Sequence, residues 1–285
     1  MTVVIGIPVS LSGQFHVQGK QSLAGLELWA RDANNRSGES FRIIYYDDES
    51  DRSTVKHVTR HLIVNDQVDI LVGPYSSVLT SAAAEVSEEH GKLLWNQGGA
   101  SDVVYDRGYR LVIGVLTPAS RYLAGLLPLV REVDSTASNI ALVRASTGEF
   151  PLSVCSGVTE SAINLGFDVV LTKEFSSLTE DFTQVLNELK SAKPDVIVIV
   201  GRVRNDLAIA SQLVASGLRA GAVVTVAAGI QQFRDHMGSL ANGFMGPSQW
   251  EPVAGFVPDC GPYPDQVVDS LKDGILHFID YSNIF

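Results

Sequence analysis

Asp195-Val196-Ile197-Val198-Ile199-Val200 is an unbroken run of β-branched residues behind one aspartate, and a strand of that composition reads as buried on both faces. Strands covered on both sides belong mainly to parallel sheets with helices above and below. The flanks agree. Upstream, Phe182, Val185 and Leu189 recur at helical spacing. Downstream comes a helix over Asp206–Ser216, a strand at Val223–Val226 and a short helix near Gln231–Leu240.

Further upstream, helix-spaced residues from Tyr122 to Val133 lead to a strand at Ile140–Val143, a helix over Val154–Leu165 and a strand at Val169–Leu171. The first 120 residues repeat the alternation, with strands at Val3–Ile7, Phe41–Tyr46, Val68–Val72, Leu93–Trp95 and Leu111–Val115. Helical stretches marked by Leu23, Leu26 and Ala30, by Val55, Val58 and Leu62, and by Ala82 and Val86 separate them. Parallel strands need crossovers long enough for a helix, and this order supplies them. The expected fold is α/β, with two Rossmann-like lobes of parallel sheet. The join at Leu116-Thr117-Pro118 holds no Gly/Ser-rich tether, so ordered extended crossings and a hinge are expected. Past Gly246 the chain turns proline-rich and ends in a short amphipathic segment around Val267–Leu271.

Composition narrows the function. The 285 residues are 45% hydrophobic and 19% charged, and 32 acidic residues against 21 basic give a net charge of −11. Without a Lys/Arg cluster, binding to a nucleic-acid backbone or an anionic membrane surface is not expected. No apolar run reaches the roughly 18–20 residues of a membrane-spanning helix, so direct membrane insertion is not expected either. Met1 leads almost at once into a strand-like stretch, so no secretion signal is read in this chain. Cys155 and Cys260 are far apart in unlike settings and read as two independent free thiols, with a long-range disulfide as the alternative.

The near-matches to catalytic and cofactor motifs each fall short of the pattern their chemistry needs. Gly13, Gly19 and Lys20 approach a phosphate loop, but the glycines are one residue too far apart and Gln21 replaces the hydroxyl that would bind Mg²⁺. His57 and His61 share a helix face, yet Val58 stands where a zinc protease carries glutamate. Ser76 and Ser77 lack the G-x-S-x-G elbow. Asp47-Asp48-Glu49-Ser50-Asp51 lacks the turn of a calcium loop and reads as acidic residues favouring the start of the following helix. No catalytic residue, metal site or cofactor is expected.

In open parallel sheets, ligands sit beyond the carboxyl ends of the strands. The loops there are Leu11-Ser12-Gly13-Gln14-Phe15, Gly73-Pro74-Tyr75-Ser76-Ser77 and Gly98-Gly99-Ala100-Ser101. Two of the three bring small hydroxyls and backbone amides to one edge, a combination suited to a carboxylate or amide oxygen. Tyr75 and Trp95 are further candidates beside them, and Ser12 and Gln14 could close the floor.

These loops, with Ile5-Gly6-Ile7-Pro8, Tyr46-Asp47-Asp48, Leu71-Val72-Gly73-Pro74, Asp181-Phe182, Lys193-Pro194-Asp195 and Gly243-Phe244, resemble the type I periplasmic solute-binding proteins of the leucine/isoleucine/valine-binding family, receptors of ABC importers. The match runs from Val3 to about Pro252. The resemblance implies an N-terminal lobe of residues 1–117 plus about 250–285 and a C-terminal lobe of 118–249, closing over a small solute. It also implies a chain that stops short of the family's usual C-terminus.

Residue by residue, it places the solute carboxylate at Ser77, Ala100 and Ser101, with Ser76 and Tyr75 adjoining. Phe150 falls where the family carries a tyrosine. Arg202 stands near a second tyrosine position, and Ala227 where amino-acid receptors place an acidic residue for the α-ammonium. Arg202, if it faces the solute, favours an anionic or aromatic group. The resemblance implies two partners: a small carboxylate-bearing solute (amino-acid derivative, aromatic acid or related amide) and the membrane permease of an ABC importer. That receptor would be periplasmic or otherwise extracytoplasmic. Two other functions stay open: a sensor domain controlling a regulator, which would be cytosolic, and an enzyme, for which no nucleophile–base pair was found.

Overall fold

A computed structural model describes residues 2–36, 38, 40–248, 257–258 and 262–275. They divide into two compact units. The first runs to Thr117 and takes in the described residues after 248; the second is Pro118–Ser248.

The first unit is built on strands β1 (Thr2–Val9), β2 (Ser40–Asp47), β3 (Ile70–Val72), β4 (Leu94–Asn96) and β5 (Val112–Gly114), ordered β2-β1-β3-β4-β5 and all parallel. Helices α1 (His16–Arg36), α2 (Arg52–Val64), α3 (Ser77–Glu89) and the short α4 (Val103–Asp106) connect them. Alternation along β1 sorts the core. Ile5, Ile7 and Val9 pack with Leu23 of α1 on one face, while Leu71 and Leu94 pack with Val55, Leu62 and Leu79 of α2 and α3 on the other.

In the second unit, helices α5 (Leu126–Val133), α6 (Glu149–Leu165), α7 (Thr183–Ala192), α8 (Val203–Ala215) and α9 (Gln231–Met237) surround a second parallel sheet. Its strands are β6 (Asn139–Ala145), β7 (Asp168–Phe175), β8 (Val196–Val200), β9 (Ala222–Thr225) and β10 (Phe244–Met245), ordered β10-β9-β8-β6-β7. All five residues of β8 are buried, as the opening run required. Phe182, Leu189, Ile197, Ile199 and Ile209 form the largest part of the core on one face. Helix α10 (Pro264–Ile275) belongs to the first unit and touches α1. No helix among the described residues is long and apolar enough to cross a membrane.

Element boundaries differ from the sequence reading where proline or glycine intervenes. The helix expected from Tyr122 is a 3-10 turn at Ala119–Arg121 followed by α5 from Leu126, because Pro128 lacks an N–H and fits only the first helical turn. Pro151 does the same for α6, which starts at Glu149 rather than Val154. The helix expected to reach Leu240 ends at Met237, where Gly238 takes φ +54° and a 3-10 turn follows. Cys155 is buried and free, and desolvation pushes its thiol up to about 11. Cys260 lies outside the described residues.

Candidate functional site

In the first unit, β1, β3 and β4 are neighbours, and the loops after them are tied into one platform. Asn96, fully buried at the end of β4, organises the glycine loop. Its Oδ1 accepts the N–H groups of Gly98 and Gly99, and its Nδ2 donates to Gly99 O and to the Tyr105 hydroxyl. Gln97 Nε2 donates to Gly73 O, and the Ser22 hydroxyl of α1 donates to Gln97 Oε1. Ser76 N–H donates to Gly98 O at 3.0 Å. The loops approach so closely that a Cβ on Gly98 would lie 2.7 Å from Tyr75 Cα.

Ser76 carries the strain of this junction. As the N-cap of α3 it adopts φ +89°, ψ 142°, a conformation used almost only by glycine. Strain of this kind persists where the surroundings over-determine it, and here both neighbouring loops do so. Ser77 then opens α3. Its Oγ accepts the Ser101 N–H at 2.9 Å, which leaves the hydroxyl hydrogen to donate elsewhere.

The sequence expectation of free amides needs correcting. The amides of Ser76, Gly98, Gly99 and Ser101 are bonded inside the platform. Those of Ser77, Val78 and Ala100 have no acceptor among the described residues. Ser77 is 9% exposed, whereas Ser101 is fully buried and Ala100 nearly so. Tyr75 is half-buried with its ring edge-on to Phe15 at 5.8 Å. Trp95 lies in the middle of β4 rather than at its end, with its side chain exposed.

The β1 loop is held by the acidic run. Asp47 Oδ1 accepts the amides of Leu11, Ser12 and Glu49, and buried Asp48 Oδ1 accepts the Ser10 hydroxyl at 2.6 Å and the Ser50 amide. Only Asp51 caps α2, so the run is mainly a clasp between two loops rather than a set of charges favouring one helix.

In the second unit, β9, β8 and β6 are neighbours, and the other three candidates follow their carboxyl ends. Phe150 is the second residue of α6, half-buried and edge-on to Tyr122 at 5.3 Å. Arg202 is exposed at the N-cap of α8, and its carbonyl accepts the amides of Asn205 and Asp206. Ala227 is buried, with its methyl group among Leu207, Ala210, Phe233 and Met237 and its amide on Asp206 Oδ2. Asp206 is thus bound into this edge, although the sequence shows it only as an acidic residue at a helix start. Asn96 and Gln97 were missed likewise; their one signal is an amide pair preceding Gly-Gly at a strand end. No group of three metal-binding side chains occurs among the described residues.

Two parallel-sheet units with polar loops at the strand ends have close parallels. The family model described as periplasmic binding protein matches residues 2–259. The Leu/Ile/Val-binding protein homolog 7 of Brucella abortus (strain 2308) is 23% identical over 236 residues, covering 80% of this chain and 59% of that protein. The chain therefore spans about three-fifths of that relative's length. The branched-chain amino acid transporter substrate binding protein LivJ from Streptococcus pneumoniae, in complex with isoleucine, shares the fold with a TM-score of 0.82 at 17% identity, covering 100% of this chain and 80% of that one. A solute binding protein of an ABC transporter from R. palustris, in complex with 4-hydroxybenzoate, gives 0.79 at 15% identity over 99% and 77% of the two chains. The chain belongs to the periplasmic binding proteins, of the type I, leucine/isoleucine/valine-binding kind.

Proposed function

We propose that the chain is the solute-binding receptor of an ABC transporter, working outside the cytoplasm, delivering to a membrane permease and performing no catalysis. Its solute is a small carboxylate-bearing molecule, an aromatic acid, an amino-acid derivative or a related amide. The observation that carries this reading is the start of α3. The Ser77 hydroxyl and the amides of Ser77, Val78 and Ala100 are donors without an acceptor of their own. Such a set, three amides and one hydroxyl hydrogen, favours an anionic or carbonyl oxygen over an ammonium. Ser76 and Tyr75 shape it, and Ser101 supports it through the bond to Ser77.

The candidates of the second unit are Phe150, Arg202 and Ala227. The Ala227 side chain is apolar and buried, Asp206 is sealed from solvent, and Arg202 is exposed. That pattern favours an acid without an ammonium group over a free α-amino acid. The isoleucine and 4-hydroxybenzoate complexes of the two related folds mark both ends of that range.

A thermal-shift screen with 4-hydroxybenzoate, isoleucine and their amides tests the reading, since a solute bound only by the folded state raises its stability. Ser77→Ala is expected to weaken capture of the best solute by about 1–3 kcal/mol through loss of a charge-assisted hydrogen bond. Ser101→Ala, acting on a buried hydroxyl, weakens it less. Unchanged affinity in Ser77→Ala would remove the site from the first unit.

A further inference from the structure

Asp206 is 1% exposed in the first turn of α8. Its Oδ2 accepts the Thr225 hydroxyl at 2.5 Å and the Ala227 N–H at 3.1 Å, so a side chain from the start of α8 holds the end of β9 and the 3-10 turn Val226–Gly229 that follows. Its Oδ1 is buried beside the Gly201 amide and makes no well-formed hydrogen bond among the described residues. A Cβ at Gly201 would come within 2.8 Å of that oxygen and force the carboxyl to shift. Next to it, buried Asn205 donates to Ser177 O and Thr179 O and fastens α8 to the 175–182 connection. One two-residue step of the chain therefore ties together three strand-end loops of the second unit.

No ion pair among the described residues reaches this carboxyl. The charged groups on the elements around it are Arg202 and Arg204 on α8, Glu180 and Asp181 on the 175–182 connection, and Arg234, Asp235 and His236 on α9, all exposed. Strands β8 and β9 and the turn Val226–Gly229 carry none. A buried carboxylate without a cation is costly even when hydrogen-bonded. Neutralising it removes a buried charge that no cation on these elements offsets.

We propose that Asp206 is a positioning residue that acts as a proton-responsive latch: as the neutral acid it fixes the turn bearing Arg202 to the turn bearing Ala227, and ionisation loosens that junction. Its bearing on solute capture rests on the function proposed above. The latch itself does not, and it is tested without solute.

Burial pushes the carboxyl up to about 7, against the pull of the Thr225 hydroxyl and the Ala227 and Gly201 amides. An unfolded aspartate titrates near ~3.9, so the stabilisation is complete below that pH, declines as pH rises towards 7 and is absent above it. Thermal unfolding of the full chain between pH 5 and 8 reads this directly. The wild type is expected to lose on the order of 5 °C relative to Asp206→Asn across that range, with His236 and every other titrating group common to both. Thr225→Val, which deletes a donor to the carboxylate, shifts the inflection to higher pH, whereas Thr225→Ser keeps it in place. A wild-type profile parallel to that of Asp206→Asn overturns the proposal. Should Asp206→Asn not fold, an inflection that does not differ between Thr225→Val and Thr225→Ser overturns it.

Discussion

Asp51 at the N-cap of α2 and Asp206 in the first turn of α8 stand at helix starts in different units, and both accept a hydroxyl and a backbone amide. Their carboxyls nevertheless move in opposite directions. The Ser53 hydroxyl and the Thr54 amide hold Asp51 down to about 2, because water still solvates its charge. Burial outweighs comparable bonds at Asp206. Similar donors therefore give opposite outcomes, and access to water decides the sign. Asp48 falls on the buried side of this contrast. It is buried and pushed up by desolvation, with the Ser10 hydroxyl pulling it back.

Substitutions along this series separate burial from hydrogen bonding. The largest effect is expected for Asp206→Ala, which leaves the Thr225 hydroxyl buried without its acceptor and the Ala227 amide with only its longer bond to Thr225 Oγ1, and costs about 3 kcal/mol in urea unfolding at pH 6. A loss below about 1 kcal/mol would mean that the junction does not depend on the carboxyl.

Asp48→Asn keeps an acceptor for Ser10 and Ser50 and is expected to change stability by about 1 kcal/mol at pH 5. Because the folded group is raised, its stabilisation is lost as pH rises, so the variant gains on the wild type towards pH 8. Asp51→Asn has the smallest effect and the reverse sign. The wild-type advantage is present above the unfolded pKa and disappears as pH falls towards 2. An advantage of wild-type Asp51 that survived at pH 2 would put the cap's contribution in its hydrogen bonds rather than its charge.

The same contrast explains what could be read from the residues. β8 was legible because five consecutive Val and Ile residues admit few alternatives to a strand covered on both faces. β10, only Phe244–Met245, has no periodicity and was missed. Four-residue α4 was missed for the same reason. At the candidate site, the hydroxyl and glycine loops were visible as composition. Which amides they use internally was not, because the Ser76–Gly98 and Ser101–Ser77 bonds join residues more than 20 positions apart and those of Gly98 and Gly99 depend on how the Asn96 side chain is buried. Asp206 was read only as a helix start, since an aspartate there ordinarily faces water and favours the dipole.

By itself, the sequence determined the alternation of strand and helix, the two parallel sheets, and the strand ends at which Ser77, Ser101, Phe150 and Arg202 stand. Those follow from periodicity, which is local. Only the tertiary structure decided that Ser77 keeps a hydrogen to donate, that Ser76 is strained, that Ala227 turns into the core and that Asp206 is sealed beneath it. Each of these depends on which distant groups exclude water from a polar atom, and that exclusion exists only once the loops have packed.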